Sequence, residues 1–115
     1  MKSHPREHEI KSGQLQPGMS FNEKVWAVTA QIPRGKVVTY GDIARKLNCN
    51  AYRAVGNALN KNPFAPQVPC HRVVGSDGSL TGFAGGLEKK RQLLSEEGVP
   101  LKNDGKVDLS VRCDL

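Results

Sequence analysis

Apolar residues recur every three or four positions from Phe21 to Ile32, which predicts an amphipathic helix that Pro33 ends. Ser20 and Glu23 have the spacing of a capping box, in which the hydroxyl and the carboxylate each bind an exposed backbone N–H group. A helix is therefore predicted to begin just after Ser20.

Two shorter helices follow. The first begins at Thr39 or Tyr40, and the second runs from about Ala51 to Asn60 with Asn50 as its N-cap. Two short amphipathic helices with a tight polar turn indicate a helix-turn-helix, whose second helix usually enters a DNA groove, although plain helical hairpins share this pattern. The residues expected to be buried are Ile43, Ala44, Leu47, Val55, Ala58 and Leu59.

The remaining pattern is simpler. Lys36–Thr39 and Val73–Val74 are β-prone, and a last helix is predicted over Leu87–Glu97 with Leu87, Leu93 and Leu94 facing inward. Residues 1–18 have no hydrophobic period and are expected to be a mobile tail, while 100–115 is predicted to be a tail or a short hairpin. The fold class that follows is mainly α with short strands, a winged-helix-like helix-turn-helix domain over 19–99.

Composition excludes several classes of protein. The 115 residues suffice for one domain. No apolar run approaches the roughly 18 residues of a membrane span, and the N-terminus has no secretory signal. Three cysteines, an odd number and far apart, favour neither a disulfide framework nor a zinc site, so a cytoplasmic location is expected, or a nuclear one in a eukaryote.

The net charge of +6 comes from one part of the chain. Between Gln31 and Gly75 there are seven basic residues and one acid, Asp42, whereas ten of each stand outside that window. Clustered positive charge suggests a polyanionic partner such as nucleic acid, and a solvated basic face is the alternative. Because the cluster coincides with the predicted helix-turn-helix, DNA is the favoured partner.

Cys70 and His71 stand at the end of this window. A thiol beside an imidazole is a possible activated nucleophile, since a base generates the reactive thiolate. The imidazole needs an orienting carboxylate, and Glu88, Glu96 and Glu97 are the candidates. The alternative is that Cys70 is merely a buried small hydrophobe.

Several ordered motifs around this pair carry a family resemblance. They are PCHRVV at Pro69–Val74, RAVG at Arg53–Gly56, NP at Asn62–Pro63 and GFAGGL at Gly82–Leu87. With them the chain, from about Met19 to Val99, resembles the catalytic domain of the O6-alkylguanine-DNA alkyltransferases. The resemblance implies a DNA repair protein that flips the damaged guanine out of the duplex and moves its alkyl group irreversibly to its own cysteine.

The resemblance also implies the catalytic roles. Cys70 would accept the alkyl group, His71 would deprotonate it through a water, and Glu97 would orient His71. Asn62 would link the recognition helix to the site by hydrogen bonding. No cofactor and no metal is implied.

The DNA-binding roles are implied in the same way. Arg53 would fill the gap left by the extruded base, and Tyr40 would crowd the phosphate 3′ to the target. The recognition helix would enter the minor groove with Ala51, Ala54 and Gly56, whereas Tyr52 and Asn57 stand where smaller side chains fit better. The base pocket would comprise Val73, Phe83, Ala84 and Gly85.

The partner that this implies is double-stranded DNA containing O6-alkylguanine, bound by a monomer without a membrane. Two alternatives remain. Alkyltransferase-like proteins sense the same lesion without chemistry, but they have Trp or Ala in place of the cysteine. A helix-turn-helix transcription regulator would need sequence-specific operator binding, which no motif of this chain indicates.

Phe83 departs from the family pattern, in which a tyrosine usually stands at this position. Phenylalanine cannot donate a hydrogen bond to the departing guanine, so we expect Phe83→Tyr to transfer the alkyl group faster with the fold intact. Single-turnover rates of the two proteins test this. Equal or slower transfer by the Tyr variant would contradict it.

Overall fold

The helices of the chain follow the hydrophobic pattern in a computed structural model that describes residues 5–65, 67–81 and 86–115. The elements are α1 (Glu7–Lys11), α2 (Phe21–Thr29), β1 (Val38–Thr39), α3 (Tyr40–Lys46), α4 (Tyr52–Asn60), β2 (Val73–Val74) and α5 (Leu87–Glu96). β1 and β2 pair in parallel. The predicted fold class, mainly helical with short strands and a helix-turn-helix, is confirmed. No described helix is long and apolar enough to span a bilayer.

α2 begins with the predicted capping box. The Glu23 N–H group donates to Ser20 Oγ over 3.1 Å, and the Ser20 N–H group donates to Glu23 Oε1 over 2.7 Å. The helix ends at Thr29, earlier than predicted, because the backbone tightens to hydrogen bonds between residues three apart before the proline. Its Trp26 indole N–H donates to the Ala58 carbonyl over 2.7 Å, which fixes α2 to α4.

α3 and α4 form the helix-turn-helix. The Thr39 N–H group donates to Asp42 Oδ2 over 2.9 Å and Thr39 Oγ1 accepts from the Asp42 N–H group over 3.1 Å, so α3 begins where predicted. The N-cap predicted at Asn50 is wrong, because α4 starts one residue later and no side chain caps it. The Asn50 carbonyl instead accepts the Tyr52 N–H group in a tight turn.

α5 buries only part of the face that was predicted to point inward. Leu94 is fully buried, but Leu87 is 50% exposed, so its inward position is wrong. As the first residue of the helix, Leu87 extends beyond the core. Lys90 is buried instead, at 1% exposure, and its Nζ donates to the Thr81 carbonyl over 2.9 Å.

Both terminal segments pack onto the domain. α1 lies in the segment expected to be a mobile tail, and it buries Ile10 in a cluster with Trp26 and Phe64. A single buried isoleucine creates no periodic pattern, so no local signal indicates this contact. Beyond Pro100, Leu101 and Val107 form an antiparallel bridge. The segment that follows pairs in parallel with Val37, next to β1.

Candidate active site and DNA-facing surface

Cys70 opens a single turn of 3₁₀ helix, Cys70–Arg72, that leads directly into β2. Such a helix has three residues per turn, so successive side chains diverge by about 120° instead of pointing to opposite faces. Cys70 is half-buried and His71 is only 3% exposed. The turn therefore leaves the sulfur accessible while it encloses the imidazole.

Glu97 is the carboxylate that orients His71. His71 Nε2 lies 2.9 Å from Glu97 Oε2. Arg72 binds the same carboxylate with two N–H groups, from Nε to Oε1 over 2.8 Å and from Nη2 to Oε2 over 2.7 Å. The other two candidate acids, Glu88 and Glu96, are exposed on α5. The site is thus a buried His71–Glu97–Arg72 network beside the thiol.

The electrostatics of this network fix the state of the imidazole. Burial tends to raise the pKa of Glu97, but hydrogen bonds from Arg72 and His71 outweigh it and lower that pKa to about 2. Burial lowers the pKa of His71, against the opposing effect of Glu97. Because an ionised carboxylate only accepts hydrogen bonds, Nε2 carries the proton and Nδ1 is the basic atom of a neutral ring.

Asn62 supports the segment that leads to Cys70. Its Nδ2 donates to the Val68 carbonyl over 2.8 Å, and the Cys70 N–H group donates to the same carbonyl over 2.9 Å. Its Oδ1 accepts the Phe64 N–H group over 2.9 Å. Since Asn62 follows the end of α4 by two residues, one shared carbonyl couples that helix to the cysteine backbone.

Lys90 and Arg72 also belong to the site, although neither was predicted from the sequence to have a role. Burial lowers the pKa of Lys90 to about 8, and the charge of the Cys70 thiolate opposes that shift. Lys90 Nζ lies 5.9 Å from the centre of the Tyr40 ring. The Tyr40 hydroxyl donates to the Thr81 carbonyl over 2.9 Å. The same carbonyl accepts the hydrogen bond from Lys90. The role of Arg72 could have been predicted from its place in the PCHRVV motif.

α4 presents a partly open surface. A pocket of about 350 Å³ is lined by Tyr40, Tyr52, Arg53, Gly56 and Asn57, among others. An added Cβ at Gly56 would meet only the Tyr40 ring, at an ordinary 3.9 Å. Glycine inside a helix costs about 1 kcal/mol relative to alanine, so internal packing does not account for it. A partner that approaches α4 closely would account for a glycine at this position.

The remaining predicted residues differ in their placement. Ala51 is exposed and Ala54 is half-buried, as a contact surface requires. Val73 is fully buried in the core, opposite Val38 in the sheet, so it presents no exposed surface to a base. Phe83, Ala84 and Gly85 lie outside the described residues. Within the described residues, no group of three potential metal ligands is present.

Comparisons with known proteins show which family and which relatives this chain is similar to. The family model for the DNA-binding domain of 6-O-methylguanine DNA methyltransferase matches residues 20–99. A methylated-DNA–protein-cysteine methyltransferase of Methanosarcina mazei is 51% identical over 86 residues, which are 74% of this chain and 54% of the relative. The chain spans about half the length of the curated relatives it matches.

Two solved structures that are similar to this chain contain DNA. Mycobacterium tuberculosis OGT in complex with DNA has a TM-score of 0.67 and 40% identity, over 80% of this chain and 63% of that one. Schizosaccharomyces pombe Atl1, bound to damaged DNA containing O6-carboxymethylguanine, has a TM-score of 0.69 and 33% identity, over 83% of this chain and 95% of Atl1.

Proposed function

The chain belongs to the 6-O-methylguanine DNA methyltransferase family through its DNA-binding domain, and on that basis we propose that it repairs O6-alkylguanine in duplex DNA by taking the alkyl group onto Cys70. The resemblance stated from its motifs is thereby confirmed. The observation that carries the proposal is the half-buried thiol of Cys70 next to the buried His71, which Glu97 holds by a 2.9 Å hydrogen bond.

The first step activates the thiol. A cysteine with an ordinary pKa near 8.5 is only a few per cent thiolate at neutral pH. His71 Nδ1 accepts the thiol proton, directly or through a water, and the resulting imidazolium is stabilised by the Glu97 carboxylate. Proton transfer through a bridging water fits the 3₁₀ turn better than direct transfer, because adjacent side chains diverge in such a turn. Lys90 interacts electrostatically with Cys70.

The second step transfers the alkyl group. The thiolate attacks the carbon attached to O6, a sulfur–carbon bond forms, and the carbon–oxygen bond breaks with its electron pair left on the guanine. The guanine anion takes up one proton, which balances the proton lost by the thiol. Because the thioether has no route back to a thiol here, each molecule acts once.

The lesion must leave the base stack before this chemistry. An O6 atom inside a duplex cannot be reached in line by a sulfur, and flipping costs a few kcal/mol. Arg53 lies exposed near the start of α4, where its side chain can occupy the gap. The glycine at position 56, which internal packing does not require, allows α4 to approach the duplex closely.

One observation favours a second candidate function. Atl1, which is 33% identical to this chain at a TM-score of 0.69, is bound to damaged DNA containing O6-carboxymethylguanine. A sensor that binds alkylguanine without chemistry is therefore the alternative. Cys70 favours transfer, since alkyltransferase-like proteins have Trp or Ala at that position.

The test follows a labelled methyl group. We expect duplex DNA with radiolabelled O6-methylguanine to lose its label to the protein, mole for mole. Tight binding of that duplex with the label still in the DNA would instead support the sensor. Absence of both binding and transfer would contradict the two functions together.

Arg53→Ala tests base extrusion. We expect transfer from duplex DNA to slow on the order of 100-fold, which corresponds to losing a few kcal/mol of support for the flipped state. Reaction with free O6-benzylguanine should stay within about twofold, because a free base needs no extrusion. Single-turnover rates on both substrates measure the difference.

The matched control is Lys61→Ala, which removes the same charge just beyond the other end of α4. It should weaken duplex binding but leave the rate of alkyl transfer from bound duplex unchanged. Equal losses on duplex and free base in Arg53→Ala, or the same loss in both variants, would remove the extrusion role.

A further inference from the structure

A second pocket lies beside the α4 surface and contains groups that the repair chemistry does not use. It has a volume of about 480 Å³, and its lining includes Arg45, Arg112, Ser76 and Gly41. Tyr40 and Tyr52 line both this pocket and the one on α4. The two pockets are therefore neighbours on one continuous surface.

Asp42 holds the two arginines of this pocket together. Arg112 Nε donates to Asp42 Oδ2 over 2.9 Å, and the Nη2 groups of both Arg112 and Arg45 bind Oδ1. Burial tends to raise the pKa of Asp42, but Arg112 and the Thr39 N–H group outweigh it and lower that pKa to about 2. One carboxylate between two guanidinium groups leaves a net positive charge in the pocket.

Both guanidinium groups can also reach a partner in solvent. The side chains of Arg45 and Arg112 are 60% and 42% exposed, whereas Asp42 is 13% exposed. A guanidinium has five N–H donors, and Asp42 binds only the Nε and Nη2 edge of Arg112. Its Nη1 group has no hydrogen-bond partner within the described part of the chain. The buried acid thus orients the pair and leaves donors for an anion.

The C-terminal segment places Arg112 there by backbone contacts. The Val37 N–H group donates to the Val111 carbonyl over 3.2 Å, and the Cys113 N–H group donates to the Val37 carbonyl over 3.0 Å. Val107, earlier in the segment, is fully buried in a cluster with Val74 and Leu94. This segment lies outside the residues 20–99 that match the family, so Arg112 is not part of that match.

We propose that Arg112 and Arg45 bind a backbone phosphate of duplex DNA that runs past the recognition helix, so that the C-terminal segment extends the DNA-binding surface. The inference rests on the proposed DNA-binding function. Arginine pairs suit phosphate because the planar guanidinium donates two parallel hydrogen bonds to it. A phosphate contact fixes the position of the duplex without reading its sequence, so the contribution is the same for damaged and undamaged DNA.

The experiment measures duplex affinity of the full chain against salt concentration, with damaged and undamaged duplexes. For Arg112→Gln we expect a loss of about 5- to 10-fold at 0.1 M salt on both duplexes. The slope of log K against log salt should fall by about 0.9, the value for one phosphate contact. The reaction rate with free O6-benzylguanine should not change. Arg91→Gln on α5, which removes an equally exposed arginine, should change none of these.

Arg112→Lys separates a phosphate contact from a purely structural ion pair. Lysine keeps the charge for phosphate but loses the bidentate grip on Asp42. We expect its salt slope to stay within about 0.3 of the parent value. A slope that falls as far as in Arg112→Gln would overturn the proposal, and so would an unchanged slope in Arg112→Gln. If the parent chain binds no duplex at all, the proposed function fails together with the phosphate contact. If the parent binds duplex but the Arg112 variants give either contrary slope, the phosphate contact alone fails.

Discussion

We expect Cys70→Ala to abolish alkyl transfer and to leave affinity for the damaged duplex within about threefold of the parent value. The sulfur is the only atom that forms the new bond, so its loss removes the reaction and not only part of its rate. Binding depends on other groups, chiefly the exposed residues of α4, and it should persist. The parent protein should carry one methyl group on the peptide that contains Cys70, identified by mass spectrometry.

The other two cysteines provide matched controls. All three thiols are free and half-buried, so exposure alone does not distinguish them. Cys113 is a poor nucleophile, because burial raises its pKa. Cys49 lies in the turn of the helix-turn-helix, outside the His71–Glu97–Arg72 network. We therefore expect Cys49→Ala and Cys113→Ala to transfer at the parent rate.

The contrary results are equally clear. A methyl group found on Cys49 or Cys113 would place the chemistry elsewhere. Turnover of more than one lesion per molecule would contradict the irreversible mechanism. An unmodified parent protein that binds the damaged duplex as tightly as Cys70→Ala does would identify the chain as a sensor.

Local signals predicted the local features of this fold. The start of α3 follows from Thr39 and Asp42 because a capping box involves residues only three positions apart. The burial of Val55 and Leu59 follows from helical spacing in the same way. The N-cap at Asn50 failed because a tight turn took up its backbone carbonyl, a competing local structure that polar residues also favour.

Features that depend on distant contacts could not be read from local pattern. The residues alone left three acids open as the partner of His71, and the family resemblance selected Glu97, 26 positions away. Lys90 was missed because a lysine on a helix normally predicts a solvated face, whereas here Thr81 and Cys70 face it. The pairing of Val37 with Arg112 involves a single bridge, which produces no alternation in the sequence.

Glu97→Gln should lower both stability and transfer rate, because one carboxylate holds His71 and Arg72 together. Removing one partner of a buried ion pair typically costs about 3–5 kcal/mol, since the other charge remains buried. His71 would also lose its orienting charge, and general-base catalysis contributes roughly 100- to 10,000-fold. We expect transfer to slow on the order of 100-fold at pH 7. Its pH profile should change too, which a purely structural role would not produce.

The stability difference should depend on pH in a defined direction. The pKa of Glu97 is lowered from 4.5 to about 2 in the folded protein. Its contribution, on the order of 3 kcal/mol, is therefore complete above about pH 4.5 and is lost as the pH falls toward 2. Urea unfolding of the parent and Glu97→Gln should show a wide gap at pH 7 that narrows by more than half at pH 3.

Glu96→Gln is the matched control for Glu97→Gln, because it makes the same change one residue earlier at an exposed position whose partner is Gln92. It should leave the unfolding free energy and the transfer rate at parent values at both pH values. A gap between the parent and Glu97→Gln that stays constant from pH 7 to pH 3 would mean that the charge of Glu97 does not stabilise the fold. Parent-level transfer by Glu97→Gln would mean that His71 needs no carboxylate to act as the base.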